Sequence, residues 1–106
     1  MDNFKAVYTI LSSLEKSMDL PEANVEMFNA KALGVSEERW KKYIEMMADC
    51  GYIKGVKITP YINGNVAVDC DDIQITLKGL EYLQENTIMQ KIYKTAKGIK
   101  DIVPGL

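Results

Sequence analysis

The sequence predicts an α+β fold, and three observations carry that expectation. Amphipathic stretches with apolar residues three and four apart cover residues 3–18 and 37–50. An Asn63-Gly64 pair stands between two β-prone runs. Thr76-Leu77-Lys78-Gly79 then opens a new helical stretch directly behind the second run. Helical periodicity on both sides of a hairpin signal describes helices built around one small antiparallel sheet.

Each element has its own warrant. Phe4, Val7, Tyr8, Leu11, Leu14 and Met18 fall on one helical face, Asp2 or Asn3 can cap it, and Asp19-Leu20-Pro21 stops it. A first helix is therefore predicted over about residues 3–18. Val25-Glu26-Met27-Phe28 alternates and predicts a short strand. Asn29 caps a brief helix from Ala30 to Leu33, which Gly34 closes in the left-handed conformation. Ser36 caps the third helix, and Glu37 and Glu38 in its first turn complement the positive end of the helix dipole. Trp40, Tyr43, Ile44 and Met47 form its apolar stripe, and Gly51 ends it. The tight Gly34-Val35 link makes this pair of helices a helix-turn-helix.

Ile53 to Tyr61 and Val66 to Ile75 read as strands joined by a type I′ turn at Asn63-Gly64. Pro60 confines the first of them to an edge, and Asp69-Cys70-Asp71-Asp72 interrupts the second as a bulge or polar bend. Thr76 caps a fourth helix over about residues 77–85. Thr87 and Gln90 have capping-box spacing, so Asn86 and Thr87 separate it from a fifth helix that runs to about Ile102, before Pro104-Gly105. The order is helix, short strand, helix, helix, β-hairpin wing, helix: a winged helix-turn-helix with an additional C-terminal helix. Residues 1–86 form the winged-helix domain, and residues 87–106 form an amphipathic basic helix packed on that domain or on a partner.

The chain also resembles a known family. Ala32-Leu33-Gly34-Val35-Ser36-Glu37-Glu38-Arg39-Trp40, then Met46-Met47, Gly51-Tyr52-Ile53 and Gly55-Val56, are similar to the YjcQ family of small bacterial and prophage proteins. Ile75-Thr76-Leu77-Lys78-Gly79-Leu80-Glu81-Tyr82-Leu83, with Glu85-Asn86, Met89 and Tyr93, continues the likeness, which covers about residues 29–95. The resemblance implies a winged-helix fold and a phage-associated origin. It brings no activity and no residue roles with it.

Composition limits the chemistry. A chain of 106 residues, 47% apolar and 26% charged, suits one globular domain. No apolar run approaches the ~18 residues of a membrane span, and the start lacks the pattern of a secretion signal, so a cytoplasmic protein is expected. The absence of histidine removes the commonest general base and metal ligand. Cys50 and Cys70 make no C-x-x-C pair and read as semi-buried free thiols. Counting a calcium loop from Asp69 puts Gln74 and Leu80 where glycine and glutamate belong, so that template fails. Ser12, Ser13 and Ser17 have no histidine partner and read as water-facing or loosely packed. No phosphate-cradling glycine loop is present. A non-enzymatic protein with no cofactor and no metal is expected.

Two binding surfaces compete. For duplex DNA the candidate contacts are Arg39, Lys41 and Lys42 on the third helix, Lys54 and Lys57 on the wing, and Lys94 and Lys97 in the C-terminal helix. Arg39 is the only arginine, and arginine is the commonest reader of guanine. Against DNA, the outer stripe Glu38, Lys42, Glu45 and Asp49 holds one positive and three negative charges, where phosphate binding calls for a basic face. For a protein partner or a second copy, the candidate interface is Ile88, Met89, Ile92, Tyr93 and Ile99. Residues 87–106 are the basic part, with four lysines against Asp101. A DNA-binding or transcription-linked module is the first expectation, and a protein-interaction module or homodimer is the alternative.

Overall fold

The computed structural model describes residues 2–86. Helix α1 (Asn3–Lys16) begins where the Asp2 carboxylate accepts the Phe4 amide at 3.0 Å. That bond satisfies one of the amides a first turn leaves without an intrahelical partner. Its buried side is Ala6, Ile10, Leu11 and Leu14, with Val7 and Tyr8 packed at the margin. The stripe is rotated from the predicted one: Phe4 and Met18 are exposed. At Ser17–Asp19 the backbone tightens into a 3-10 turn, whose three residues per turn swing Met18 off the α-helical face. Ser13 and Ser17 are buried rather than wet, and the Ser17 hydroxyl donates to the Ser13 carbonyl at 2.9 Å. The hydroxyl is satisfied inside the helix, so its burial is tolerated.

The predicted strand at Val25-Glu26-Met27-Phe28 is a 3-10 turn over Val25–Met27. Asn24 accepts the Glu26 amide with its side chain and the Met27 amide with its carbonyl, each at 3.1 Å. The Phe28 amide goes to the Val25 carbonyl. These local bonds satisfy the backbone without a partner strand. The apparent alternation comes from one side chain, Phe28, which is fully buried.

Helix α2 (Ala30–Leu33) is capped by Asn29, which accepts the Ala32 amide at 2.8 Å. It ends at Gly34, φ 69°, with the Val35 amide on the Ala30 carbonyl and the Gly34 amide on the Lys31 carbonyl. That pair of bonds is a Schellman stop. Helix α3 (Glu37–Asp49) is capped by Ser36 and buries Trp40, Tyr43, Ile44 and Met47. The Trp40 indole donates to the Phe28 carbonyl at 2.7 Å, tying α3 to the turn before α2. A second Schellman stop follows: Tyr52 bonds to Met47, and Gly51, φ 80°, bonds to Ala48.

Strands β1 (Ile53–Lys54), β2 (Lys57–Pro60), β3 (Val66–Asp69) and β4 (Gln74–Ile75) form one interrupted hairpin. β2 pairs antiparallel with β3, Lys57 facing Asp69 and Pro60 facing Val66, while β1 pairs antiparallel with β4, Ile53 facing Ile75. Between the two pairings, Gly55-Val56 stands against Cys70-Asp71-Asp72-Ile73, so the interruption falls one residue later than the predicted bend at Asp69-Cys70-Asp71-Asp72, and Asp69 stays in β3. The turn differs from the type I′ expectation, because Gly64 has φ 89° and no residue other than glycine has positive φ among those described. Asn63 accepts the Asn65 amide at 3.1 Å, the Gly64 amide bonds to the Tyr61 carbonyl, and the Tyr61 amide bonds to the Asn65 carbonyl at 2.7 Å. The loop is thus the three-residue kind with glycine in the left-handed position.

Helical residues 77–86, termed α4, complete the described chain. The Thr76 hydroxyl accepts the Gly79 amide at 3.1 Å and donates to the Gly51 carbonyl, while the Thr76 amide bonds to the Tyr52 carbonyl. The end of α3 and the start of α4 are therefore joined through one threonine. Leu83 enters the shared core, which spans the four described helices and the base of the hairpin, where Ile53, Cys70, Ile73 and Ile75 are buried. The fold is a small α+β domain. The predicted C-terminal helix lies outside the described residues.

Candidate functional site: the α1–α3 groove

The first turn of α1 and one flank of α3 leave an open groove of about 710 Å³. Asn3, Phe4 and Val7 form one wall; Glu38, Arg39, Lys42, Met46 and Cys50 form the other; Tyr52 and Tyr82 close one side. Arg39, Lys42, Met46 and the C-cap Cys50 follow at steps of three or four, and Glu38 stands four before Lys42, so they share one flank of the helix. Phe4 is 76% and Met46 53% exposed, large apolar side chains facing the same space.

Polar contacts set the position of the walls. Arg39 Nη1 donates to Asn3 Oδ1 at 2.9 Å, and the Tyr43 hydroxyl donates to the same oxygen. One asparagine therefore holds the start of α1 against the middle of α3. The Tyr52 and Tyr82 rings lie 5.1 Å apart at 43°, within the range of favourable tilted aromatic pairs. Lys78 Nζ sits 5.8 Å from the centre of the Tyr52 ring, a cation–π distance. Burial, helped by Tyr52 and Asp2, pushes the Tyr82 hydroxyl above its ordinary pKa.

The two thiols separate. Cys50 is exposed and borders the groove, in contrast to the semi-buried reading, whereas Cys70 is buried. Burial first, then the Asp69 and Asp71 carboxylates, push the Cys70 thiol up to about 11. The thiolate is the nucleophilic form, so Cys70 is chemically quiet. Among the described residues no cluster of three or more cysteine or carboxylate ligands could hold a metal, and no helix is long and apolar enough to cross a membrane.

Of the predicted DNA contacts, the groove gathers Arg39 and Lys42 alone. Lys41 is half-buried outside it, and Lys54 and Lys57 are exposed on the hairpin. Lys94 and Lys97, and the predicted interface Ile88, Met89, Ile92, Tyr93 and Ile99, lie outside the described residues. On the predicted outer stripe Glu38, Lys42 and Asp49 are exposed and Glu45 is half-buried. Sequence reading missed Asn3, Phe4, Met46, Tyr52 and Tyr82 as site residues. One signal was present: Met46 follows polar Glu45 outside the apolar stripe of α3.

This arrangement defines a small α+β domain with a β-hairpin and an open, largely apolar groove. The chain belongs to the YjcQ family, whose profile, described as YjcQ protein, matches residues 8–102. The match extends beyond the resembling motifs at both ends. Comparison with curated proteins and with solved structures returns no match.

Proposed function

We propose that the domain is a winged helix, with α2 and α3 as its helix-turn-helix and β2–β3 as its wing, and that it is a non-enzymatic module of phage or prophage type that binds another protein through the α1–α3 groove. The observation that carries this reading is the pairing of exposed Phe4 and Met46 across one groove. Apolar side chains gathered in a concavity and rimmed by Glu38, Arg39 and Lys42 have the anatomy of a protein-binding patch. Aromatic, methionine and arginine side chains are the types enriched at such surfaces.

Phe4→Glu and Met46→Glu test the reading, since both positions are exposed and a carboxylate there is not forced into the core. A protein partner recovered with the full chain after nuclease treatment should be lost by both variants. Retention by both, or loss of the partner on nuclease treatment of the wild type, would count against the groove.

A second reading, duplex DNA, is supported by the exposure of Arg39, Lys42, Lys54 and Lys57 and by analogy with other winged helices. It is the weaker one on charge. Lys57 is opposite Asp69 in the hairpin register, and exposed Glu37, Glu38 and Asp49 share α3 with the cations.

A further inference from the structure

We propose that β3 is a self-pairing edge: two copies of this chain associate by joining their β3 strands antiparallel about a two-fold axis at Ala67, which merges two hairpins into one continuous sheet. The inference goes beyond the partner reading, because it concerns the hairpin and uses no residue of the groove.

The hairpin register fixes which backbone groups point outward. The Tyr61 amide bonds to the Asn65 carbonyl, and Tyr61 stands opposite Asn65 in the frame that sets Pro60 against Val66. Antiparallel pairs alternate in kind. Thr59 with Ala67 and Lys57 with Asp69 are therefore the hydrogen-bonded pairs, and Pro60 with Val66 and Ile58 with Val68 are not. Residues of the second kind turn their N–H and C=O groups away from the partner strand. On β2 that outer row contains Pro60, which has no N–H, so this edge is blunted. On β3 the outer row is Val66 and Val68, each offering a donor and an acceptor. Among the described residues no backbone group from outside the hairpin bonds to either.

This row is complementary to itself. Val66 and Val68 lie symmetrically about Ala67, so a two-fold axis there sets Val66 opposite the partner's Val68, and each such pair exchanges both N–H···O bonds. Moving the axis by one residue would set Val68 against Gly64 of the loop or Val66 against Cys70 of the bend. Charge agrees with the Ala67 axis. Residues 58–68 carry no charged side chain, and the next position sets the exposed Asp69 carboxylate opposite the exposed Asn65 amide of the partner, a donor for it. Val66, Ala67 and Val68 are only half-buried, so pairing also removes apolar surface from water.

Ala67→Cys tests the axis. Ala67 would face its own copy as a non-hydrogen-bonded pair, where Cα atoms lie about 4.5 Å apart, within disulfide reach. The full chain is used with Cys50→Ser, which removes the exposed native thiol. Mild oxidation should then link Ala67→Cys into a covalent dimer at least about tenfold faster than Thr59→Cys, its neighbour on the blunted strand. In sedimentation equilibrium the wild-type mass should rise towards the dimer between about 10 µM and about 1 mM, as a small interface requires. Val66→Pro removes an outward N–H and no β2–β3 bond, and should weaken association at least about tenfold. Asn65→Asp, an exposed change that sets carboxylates opposite one another, should weaken it several-fold and keeps the test valid if the proline variant does not fold. A strict monomer throughout that range, equal linking at positions 59 and 67, or unchanged association in either folded variant would overturn the proposal. Every readout uses this chain alone, so failure here and failure of the groove reading are separable.

Discussion

Gly55 and Gly64 share a left-handed backbone, with φ 80° and 89°, but not an environment. A Cβ on Gly55 would meet the Asp72 carbonyl oxygen at 1.9 Å, whereas a Cβ on Gly64 would meet nothing within 4 Å. Gly55→Ala should therefore cost more than about 2 kcal/mol, combining left-handed strain with a backbone clash. Gly64→Ala should cost about 1 kcal/mol, from strain alone. Urea titration of both variants measures the difference, and equal midpoints would contradict it. At the same scale, Asn3 shows what local reading cannot reach. Its oxygen joins Arg39 and Tyr43, which lie 36 and 40 residues away in the chain. Arg39, the one arginine and the leading candidate for guanine contact, therefore has one nitrogen engaged in setting a groove wall.

Among the elements, the junctions are the best determined parts. Asn29 and Ser36 cap their helices, and Gly34 and Gly51 stop theirs, as the sequence predicts, because each acts on amides or carbonyls within a few residues. Thr76 does more than cap. Its hydroxyl accepts from Gly79 and donates to Gly51, so it fastens α4 to the end of α3 across 25 residues. Thr76→Val keeps the shape and removes both bonds, leaving the Gly51 carbonyl without its hydroxyl partner. It should destabilise by about 2 kcal/mol, and Thr76→Ser by much less, in thermal or urea unfolding. Val25–Phe28 and Asn63-Gly64 were less legible. Four alternating residues cannot separate a strand from a turn with one buried anchor, and the Asn63 side chain settles its own loop by taking the Asn65 amide.

For the whole molecule, net charge bears on the two proposed partners. With −5 on residues 1–86 and +3 beyond, the described domain repels phosphate overall and only local cations oppose that. The full chain should bind duplex DNA no more tightly than the non-specific range of about 10⁻⁴–10⁻⁶ M, even at about 50 mM salt. Tighter, steeply salt-dependent binding in a titration would move the function to the DNA reading. The sequence by itself determined the α+β class, the helix caps and stops, the hairpin and the family likeness, because each depends on periodicity or on contacts a few residues apart. Tertiary structure alone decided the groove. Its walls come from residues 3–7, 36–50, 52 and 82, and packing rotated α1 so that Phe4 lines the groove rather than the core. No local pattern encodes which face of one helix will lie open beside another, because that depends on how the whole core closes.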